Sequence, residues 1–389
     1  MKMKLGEAFD LQMGKTPARN DKTCWGMGHK WISISDIGNA GKYIDATKEE
    51  ITDAGVSKSG IKVVPKGTVI MSFKLSIGKT AITAEDMYTN EAIMAFINKG
   101  KYEIDTNYLY HMCKGIDWFE GTSKAVLGLT LNKATMSEKE IEIPSLVEQL
   151  EAVAVLDKMD ELIALRKEQV VKLDQLVKSR FVELFGDPVQ NPMEWETVLL
   201  KSATSKIGSG ATPKGGKESY QTEGITLIRS MNVHDGRFEY KDLAHITDEQ
   251  AKQLENVTVE ENDVFINITG ASVARSCIVP KHILPARVNQ HVAIIRCITL
   301  MLNPVFANQM FLNTSFKGQL LDIGESGGAT RQAITKQQLE TLMVILPPLE
   351  LQKQFATFVE QTDKSKFEIQ KSLEKLETLK KALMQKYFG

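Results

Sequence analysis

The sequence is short of most things that a specialised chemistry or an extracellular life would need. It has 4 cysteines in 389 residues, Cys24, Cys113, Cys277 and Cys297, and no two of them form a Cys-x-x-Cys pair. Neither a disulfide framework nor a zinc ribbon is indicated, and a reducing, cytoplasmic setting is expected. No run approaches the roughly 18 consecutive apolar residues of a membrane helix, and the opening Met-Lys-Met-Lys-Leu-Gly-Glu has no apolar core behind its lysines, so neither export nor a membrane anchor is expected. An excess of charge is missing as well, since 48 basic and 49 acidic side chains leave a net −1. Proteins that coat nucleic acid by counterion release usually carry a basic surplus, so a nucleic-acid role here must rest on a local patch or a charged partner. What remains, 42% hydrophobic and 25% charged, is ordinary globular composition at a length that suits two or three domains.

Complete catalytic signatures are also lacking. Gly324-Glu325-Ser326-Gly327-Gly328 has the spacing of a nucleophile elbow, but a hydrolase of that type needs a later histidine and the last one is His291. Gly78-Lys79-Thr80 has the form of the end of a phosphate-binding loop, yet Phe73 stands where the loop needs glycine. Asn191-Pro192-Met193-Glu194 lacks the second proline and the aromatic of an amino-methyltransferase motif, and His111 with Cys113 would be two isolated metal ligands at most. The chain is therefore expected to do no chemistry itself and to hold no metal or cofactor.

What is present is a repeat. Two halves align in order at an offset of about 200 residues. Gly14-Lys15-Thr16-Pro17 matches Gly210-Ala211-Thr212-Pro213, and Trp31 to Ile37 matches Leu227 to Val233. Gly67 to Ser72 lines up with Asn262 to Asn267, Ser76 to Lys79 with Ser272 to Arg275, and Thr89-Asn90-Glu91 with Val288-Asn289-Gln290. The match is most regular from Ile143 to Gly186 against Leu346 to Gly389, without a gap.

Within each unit the periodicity changes. Short β-branched and aromatic runs (Trp31 to Ile37, Thr68 to Phe73, Ala92 to Ile97; Thr226 to Ile228, Val264 to Ile268, Val292 to Ile298) separated by Gly, Asn, Asp and Pro predict a mixed α/β head with a twisted sheet. Beyond Pro144 and Pro347, Leu156, Ile163, Val170, Val177 and Leu184, and likewise Phe355, Thr362, Ile369, Leu376 and Leu383, recur every seventh residue and predict two long helices. Two equivalent heptad helices in one chain are best satisfied by packing on each other as an antiparallel coiled coil, which gives the duplication an approximate two-fold symmetry. The expected division is a head at 1–143, a helical spacer at 144–186, a second head at 187–343 and a C-terminal helix at 344–389.

Taken in order, Gly-x-Thr-Pro in each half, the strand ending in Asp36-Ile37 or Asn232-Val233, Asn289-Gln290-His291, Gly328-Ala329-Thr330-Arg331 with Ile334, Ile345-Leu346-Pro347-Pro348-Leu349 followed by Gln352, and Phe185-Gly186-Asp187-Pro188 resemble the specificity subunit of type I restriction-modification enzymes over essentially the whole chain. The first half departs from the pattern, with Lys124 to Thr130 in place of Gly-Gly-Ala-Thr-Arg and Ser145 in place of Pro348. The resemblance implies a non-catalytic reader of double-stranded DNA. Each head would be a target-recognition domain for one half of a bipartite site, and the helices would set the spacer. The helices would also dock two copies of a methyltransferase subunit that binds S-adenosylmethionine, with a restriction motor subunit as a further partner. The rival from another class is a protein-only scaffold that pairs partners without reading DNA.

Polar or basic residues beside glycine at strand ends are the candidate DNA contacts: Lys15, Thr16, Lys74 and Lys79 in the first head, and Thr212, Lys214, Arg229, Asn232, Asn267, Arg275 and Arg331 in the second. Arginine suits guanine and asparagine suits adenine in the major groove. Asn90 and Asn289 can equally cap a turn or meet a base. Leu156, Ile163, Val170, Val177, Ile369, Leu376 and Leu383 are the candidate partner-binding residues of the helices.

Overall fold

The computed structural model describes residues 1–74, 76–119, 131–213, 215–325 and 332–389. Ser326, Lys214 and Arg331 lie outside them. The chain forms two compact units, Met1–Lys167 with Lys371–Gly389, and Glu168–Gln370. The divisions fall inside the two long helices rather than at their ends, because the two parts of each helix belong to different units.

In the first unit, strands Phe9–Met13, Ile93–Asn98, Val69–Ser72, Thr80–Thr83 and Tyr43–Ile44 form one sheet in that order. Phe9 and Leu11 point inward while Asp10 is exposed, as the two-residue period of a strand requires. Val69–Ser72 and Thr80–Thr83 are buried throughout, as central strands covered on both faces are. A second sheet sets Trp25–Ile32 between Glu49–Ile51 and Tyr88–Thr89, antiparallel to the former and parallel to the latter. Lys2–Lys4 pairs with Glu140–Glu142.

The second unit repeats this arrangement. Thr204–Ser209, Val292–Cys297, Val264–Asn267 and Ser276–Ile278 make the larger sheet. Ile225–Ile228 lies between Ala244–Ile246 and Ala286–Val288, again antiparallel and parallel, and Thr197–Leu199 pairs with Met343–Ile345. The mixed α/β class and the duplication are thus features of the fold. One expected strand is shorter than its apolar run: Trp31 to Ile37 leaves the sheet at Ile32, because Ser33 and Asp36 form a capping box that starts a helix, Ile34–Asn39.

The helices Leu146–Phe185 and Leu349–Phe388 have 40 residues each, about 60 Å at 1.5 Å per residue. Gly186, at φ +74°, ends the first in the left-handed conformation that glycine adopts freely. Both helices start at the same buried device. The Gln149 Oε1 receives the backbone N–H of Asp105 at 2.9 Å, and its Nε2 donates to the carbonyls of Glu103 and Pro144 at 2.9 and 3.1 Å. The Gln352 Oε1 receives Asn303 N–H at 2.8 Å, and its Nε2 donates to Met301 and Pro347 at 3.1 and 2.8 Å. Asp105 and Asn303 are themselves the N-caps of the head helices Thr106–Gly115 and Pro304–Leu312. Each glutamine, 0% exposed, locks the first turn of a long helix to the cap of a head helix.

The far ends of the helices are also anchored in equivalent ways. In the second unit Phe185 packs edge-on to Phe306 at 4.7 Å; in the first, Phe388 lies 5.3 Å from Tyr108. Within each unit the helical segments pair antiparallel. Asp160 and Lys167 meet Lys380 and Glu377 in the first, while Asp174 meets Lys366 and Phe181 meets Phe355 in the second. Ion pairs at such a partly or fully exposed surface set register more than stability. Among the described residues no helix is long and apolar enough to cross a membrane.

The first unit has one further clasp. Asp157, on the long helix, accepts from both Lys42 Nζ (2.7 and 2.6 Å) and His111 Nε2 (2.7 Å). Burial lowers the His111 pKa, and its Nδ1 is enclosed without a partner that could receive a second proton. Burial acts to raise the Asp157 pKa, but the hydrogen bonds from Lys42 and His111 outweigh it and leave it lowered.

Two outcomes are expected. Gln149→Leu, which leaves an N–H and two carbonyls without their partner, should cost about 3 kcal/mol of stability in chemical denaturation. Because unfolded His111 takes up a proton near its ordinary pKa and the folded one resists, stability should decline as pH falls from about 7 to 5. His111→Gln should flatten that slope.

Candidate nucleic-acid interface

The sequence motifs that stand far apart in each half meet at one loop cluster. In the first unit, Gly14 N–H donates to Ile93 O (3.2 Å) and Lys15 N–H to Thr89 O (2.9 Å), while Trp31 Nε1 donates to Lys15 O (3.0 Å). A Cβ on Gly14 would overlap the carbonyls of Thr89 and Asn90, so only glycine fits. Thr16 Oγ1 donates to Glu91. In the second unit Gly210 N–H donates to Asn289 O (3.1 Å), a Cβ there would overlap Val288 O, and Thr212 Oγ1 donates to Gln290. The Gly-x-Thr-Pro loop is thus clipped to the Asn-Glu or Asn-Gln turn in both heads.

The other equivalent pieces are placed alike. Asn90 and Asn289 cap their turns, accepting the N–H of Ala92 and of His291 at 3.0 Å. Ser72 N–H donates to Lys79 O and Asn267 N–H to Arg275 O, both at 2.9 Å. The residue before each basic side chain is left-handed, Gly78 at φ +88° and Ala274 at φ +63°. Holding a non-glycine residue in that conformation stores backbone strain, which structures keep where the surroundings enforce it.

Among the described residues the candidate DNA contacts divide into four groups. Lys74, Lys79 and Lys15 are exposed, Lys15 with its ammonium on the carbonyls of Ser59 and Gly60 at 3.1 and 3.2 Å. Arg275 is half-buried. Arg229 lies 5.3 Å above the Tyr220 ring, donates to Asp242 O, and has Nε buried without an acceptor. Thr16 and Thr212 are held in the loop clips just described.

Asn232 and Asn267 require correction. Both are 0% exposed and have no surface to offer a base. Asn232 accepts the N–H of Arg229 (3.1 Å) and donates to Glu239 O (2.9 Å), the capping task that Asp36 performs for Ser33 in the first head. Asn267 donates to Ser230 O at 2.9 Å and Val233 O at 3.3 Å. Their polarity suggested a surface role, but it satisfies buried backbone.

A cleft of about 440 Å³ beside the first loop is lined by Lys15, Thr16, Asp21, Lys58 and Glu91 among others. Its charges are mixed. Lys58 and Thr23 hydrogen-bond to Asp21 and hold its carboxyl well below the usual range, so the cleft is not a cationic pocket for phosphate.

The helix residues chosen as partner-binding turn inward. Leu156, Ile163 and Val177 are buried within their own units, and Val170, Ile369, Leu376 and Leu383 are half-buried. The exposed apolar residues are others: Val147 at 66%, Val171 at 54%, Val182 at 50%, and the equivalent pair Leu176 and Leu379 at 47% and 51%. Gln149 and Asp157 were not singled out in advance, Gln352 entered only as part of a family motif, and His111 was weighed only as an isolated metal ligand. The retention of a glutamine at one place in both halves was the signal that could have marked Gln149 and Gln352.

A duplicated α/β head on a long helix, with a loop cluster clipped at equivalent positions in both copies, defines a modular protein of two like heads. The family model described as type I restriction modification DNA specificity domain matches residues 1–175 and 192–381, and the chain belongs to that family. It is similar to the specificity subunit of the type I restriction enzyme MjaIX of Methanocaldococcus jannaschii, at 26% identity over 98% of this chain and 91% of the relative. It also resembles the EcoAI specificity subunit of Escherichia coli, at 29% identity over 48% of this chain and 32% of that one. Two solved chains share the fold: one from a study of complex assembly and conformational transition of the type I R-M system (TM-score 0.64, 18% identity, 100% and 97% covered), the other the S subunit from M. genitalium (TM-score 0.55, 14% identity, 100% and 96% covered). The protein is a type I restriction-modification specificity subunit with two DNA specificity domains.

The two kinds of candidate should separate in mutants. Asn232→Ala should cost about 2 kcal/mol in thermal or chemical unfolding, while Arg275→Ala leaves the unfolding curve unchanged.

Proposed function

We propose that the chain is the non-catalytic DNA-reading subunit of a type I restriction-modification complex, with each head reading one half of a bipartite duplex target. The observation that carries this reading is the loop cluster built twice from equivalent residues yet bearing different exposed side chains, as two heads with different half-sites require. The near-neutral chain gains little from neutralising phosphates, so methyltransferase subunits embracing the duplex supply most of the affinity and this subunit supplies base readout. The methyltransferase, in two copies, binds S-adenosylmethionine and does the chemistry, and a motor subunit adds restriction. The long helices set the unread spacer. They dock the methyltransferase through their outward apolar residues, Leu176 and Leu379 first, rather than through the heptad stripe.

The test is single-molecule sequencing of methylated DNA from cells expressing the cognate methyltransferase with and without this chain. The expected result is a split motif, methylated on both strands only when the chain is present. Arg229→Ala combined with Arg275→Ala should weaken one half-site by about tenfold or more and leave the other intact. An assembled complex that methylates no new motif would favour the protein-only scaffold.

A further inference from the structure

Met27 is 95% exposed, more than any other large apolar side chain among the described residues. Its setting is not that of a loose surface residue. Strand Trp25–Ile32 pairs with Glu49–Ile51 in such a way that Trp25 and His29 both face Ile51, so Gly26-Met27-Gly28 is extruded from the ladder as a bulge. Both flanks demand glycine. Gly26 has φ +143°, and a Cβ on Gly28 would come 2.8 Å from Ile51 O. Gly28 N–H is further fixed by the Glu50 carboxylate at 2.8 Å.

The second head repeats the frame. Ile225 faces Ile246 there as His29 faces Ile51. Gly224 stands where Gly28 does, at φ +131°, and a Cβ on it would come 2.6 Å from Ile246 O. The residue before it, matching Met27, is Glu223, which is also exposed. Where the duplication preserves a structural task it preserves the chemistry, as with Gln149 and Gln352 or Thr16 and Thr212. At this place it preserves the glycine that follows the tip, with Thr222 in place of Gly26, and changes the tip from apolar to acidic.

We infer that Met27 and Glu223, each held before an equivalent glycine at which the facing strand permits no Cβ, are specificity-determining residues that contact base edges, one in each half-site. The inference rests on the DNA-reading function proposed above. The strand behind each tip leads to the loop cluster: Trp31 donates to Lys15 O in one head, and Ile228 O receives Asn289 N–H in the other. Neither tip suits phosphate, since a thioether offers it no donor and a carboxylate repels it. Both suit bases. Met27 gives an apolar contact for the methyl of thymine, and Glu223 accepts from the amino group of cytosine.

The test uses the full chain co-expressed with its methyltransferase, with Met27→Ala, Met27→Gln and Glu223→Gln read by sequencing of methylated genomic DNA. Each change should relax or switch one base pair, by about tenfold or more, in one half-site only. The Met27 variants should act on the half-site opposite to that of Glu223→Gln, with thermal unfolding and methyltransferase binding unchanged. A wild-type motif methylated at wild-type rates by all three variants overturns the inference alone. Loss of folding in both Met27 variants overturns it too, by making the tip structural. If the wild-type chain yields no split motif, the DNA-reading function falls and this inference with it.

Discussion

A glutamine side chain can receive one N–H and donate to two carbonyls at once, and Gln149 and Gln352 use that whole capacity at the point where each long helix leaves its head. Without that side chain, an N–H and two carbonyls at each junction would lose their partner, at about 1 kcal/mol or more apiece. The amide satisfies the head helix and the long helix together, so it fixes the direction of one against the other. The ion pairs along the helices then need only select register, which is what exposed pairs are suited to do.

The aromatic anchors complete the same logic. Phe185 against Phe306 and Phe388 against Tyr108 join the far end of a long helix to a head. In sequence terms each head is therefore gripped by the start of the helix that follows it and by the end of the other. Asp157, with Lys42 and His111 on it, reinforces the grip in the first unit.

Much of this was legible in the sequence, and for a physical reason. Duplication makes one half a control for the other, so the heads and the two 40-residue helices could be read from collinear matches and heptads, while the meeting of Gly-x-Thr-Pro with the Asn turn emerged only in three dimensions. Readings that rested on one residue type fared differently. Asn232 and Asn267 have the chemistry of base readers, but the same amide satisfies buried backbone, and only three-dimensional placement separates the two. The heptad leucines and valines marked the inner face of the helices. The outer apolar residues, Val147, Val171 and Val182 among them, follow no repeat that would have drawn attention to them, and only Leu176 recurs, as Leu379.

The grip of each head by two helices also governs when a head can finish folding. The first unit is made of Met1–Lys167 and Lys371–Gly389. Roughly 200 residues are synthesised between these stretches, which at about 5–20 residues per second takes roughly 10–40 s. During that interval the place of Phe388 beside Tyr108 and Gly115 is open. The second unit, continuous in sequence from Glu168 to Gln370, can close as soon as it is made. The half of the chain translated first is thus the half that settles last, and its waiting apolar seat is the place where a chaperone or a premature partner would find it.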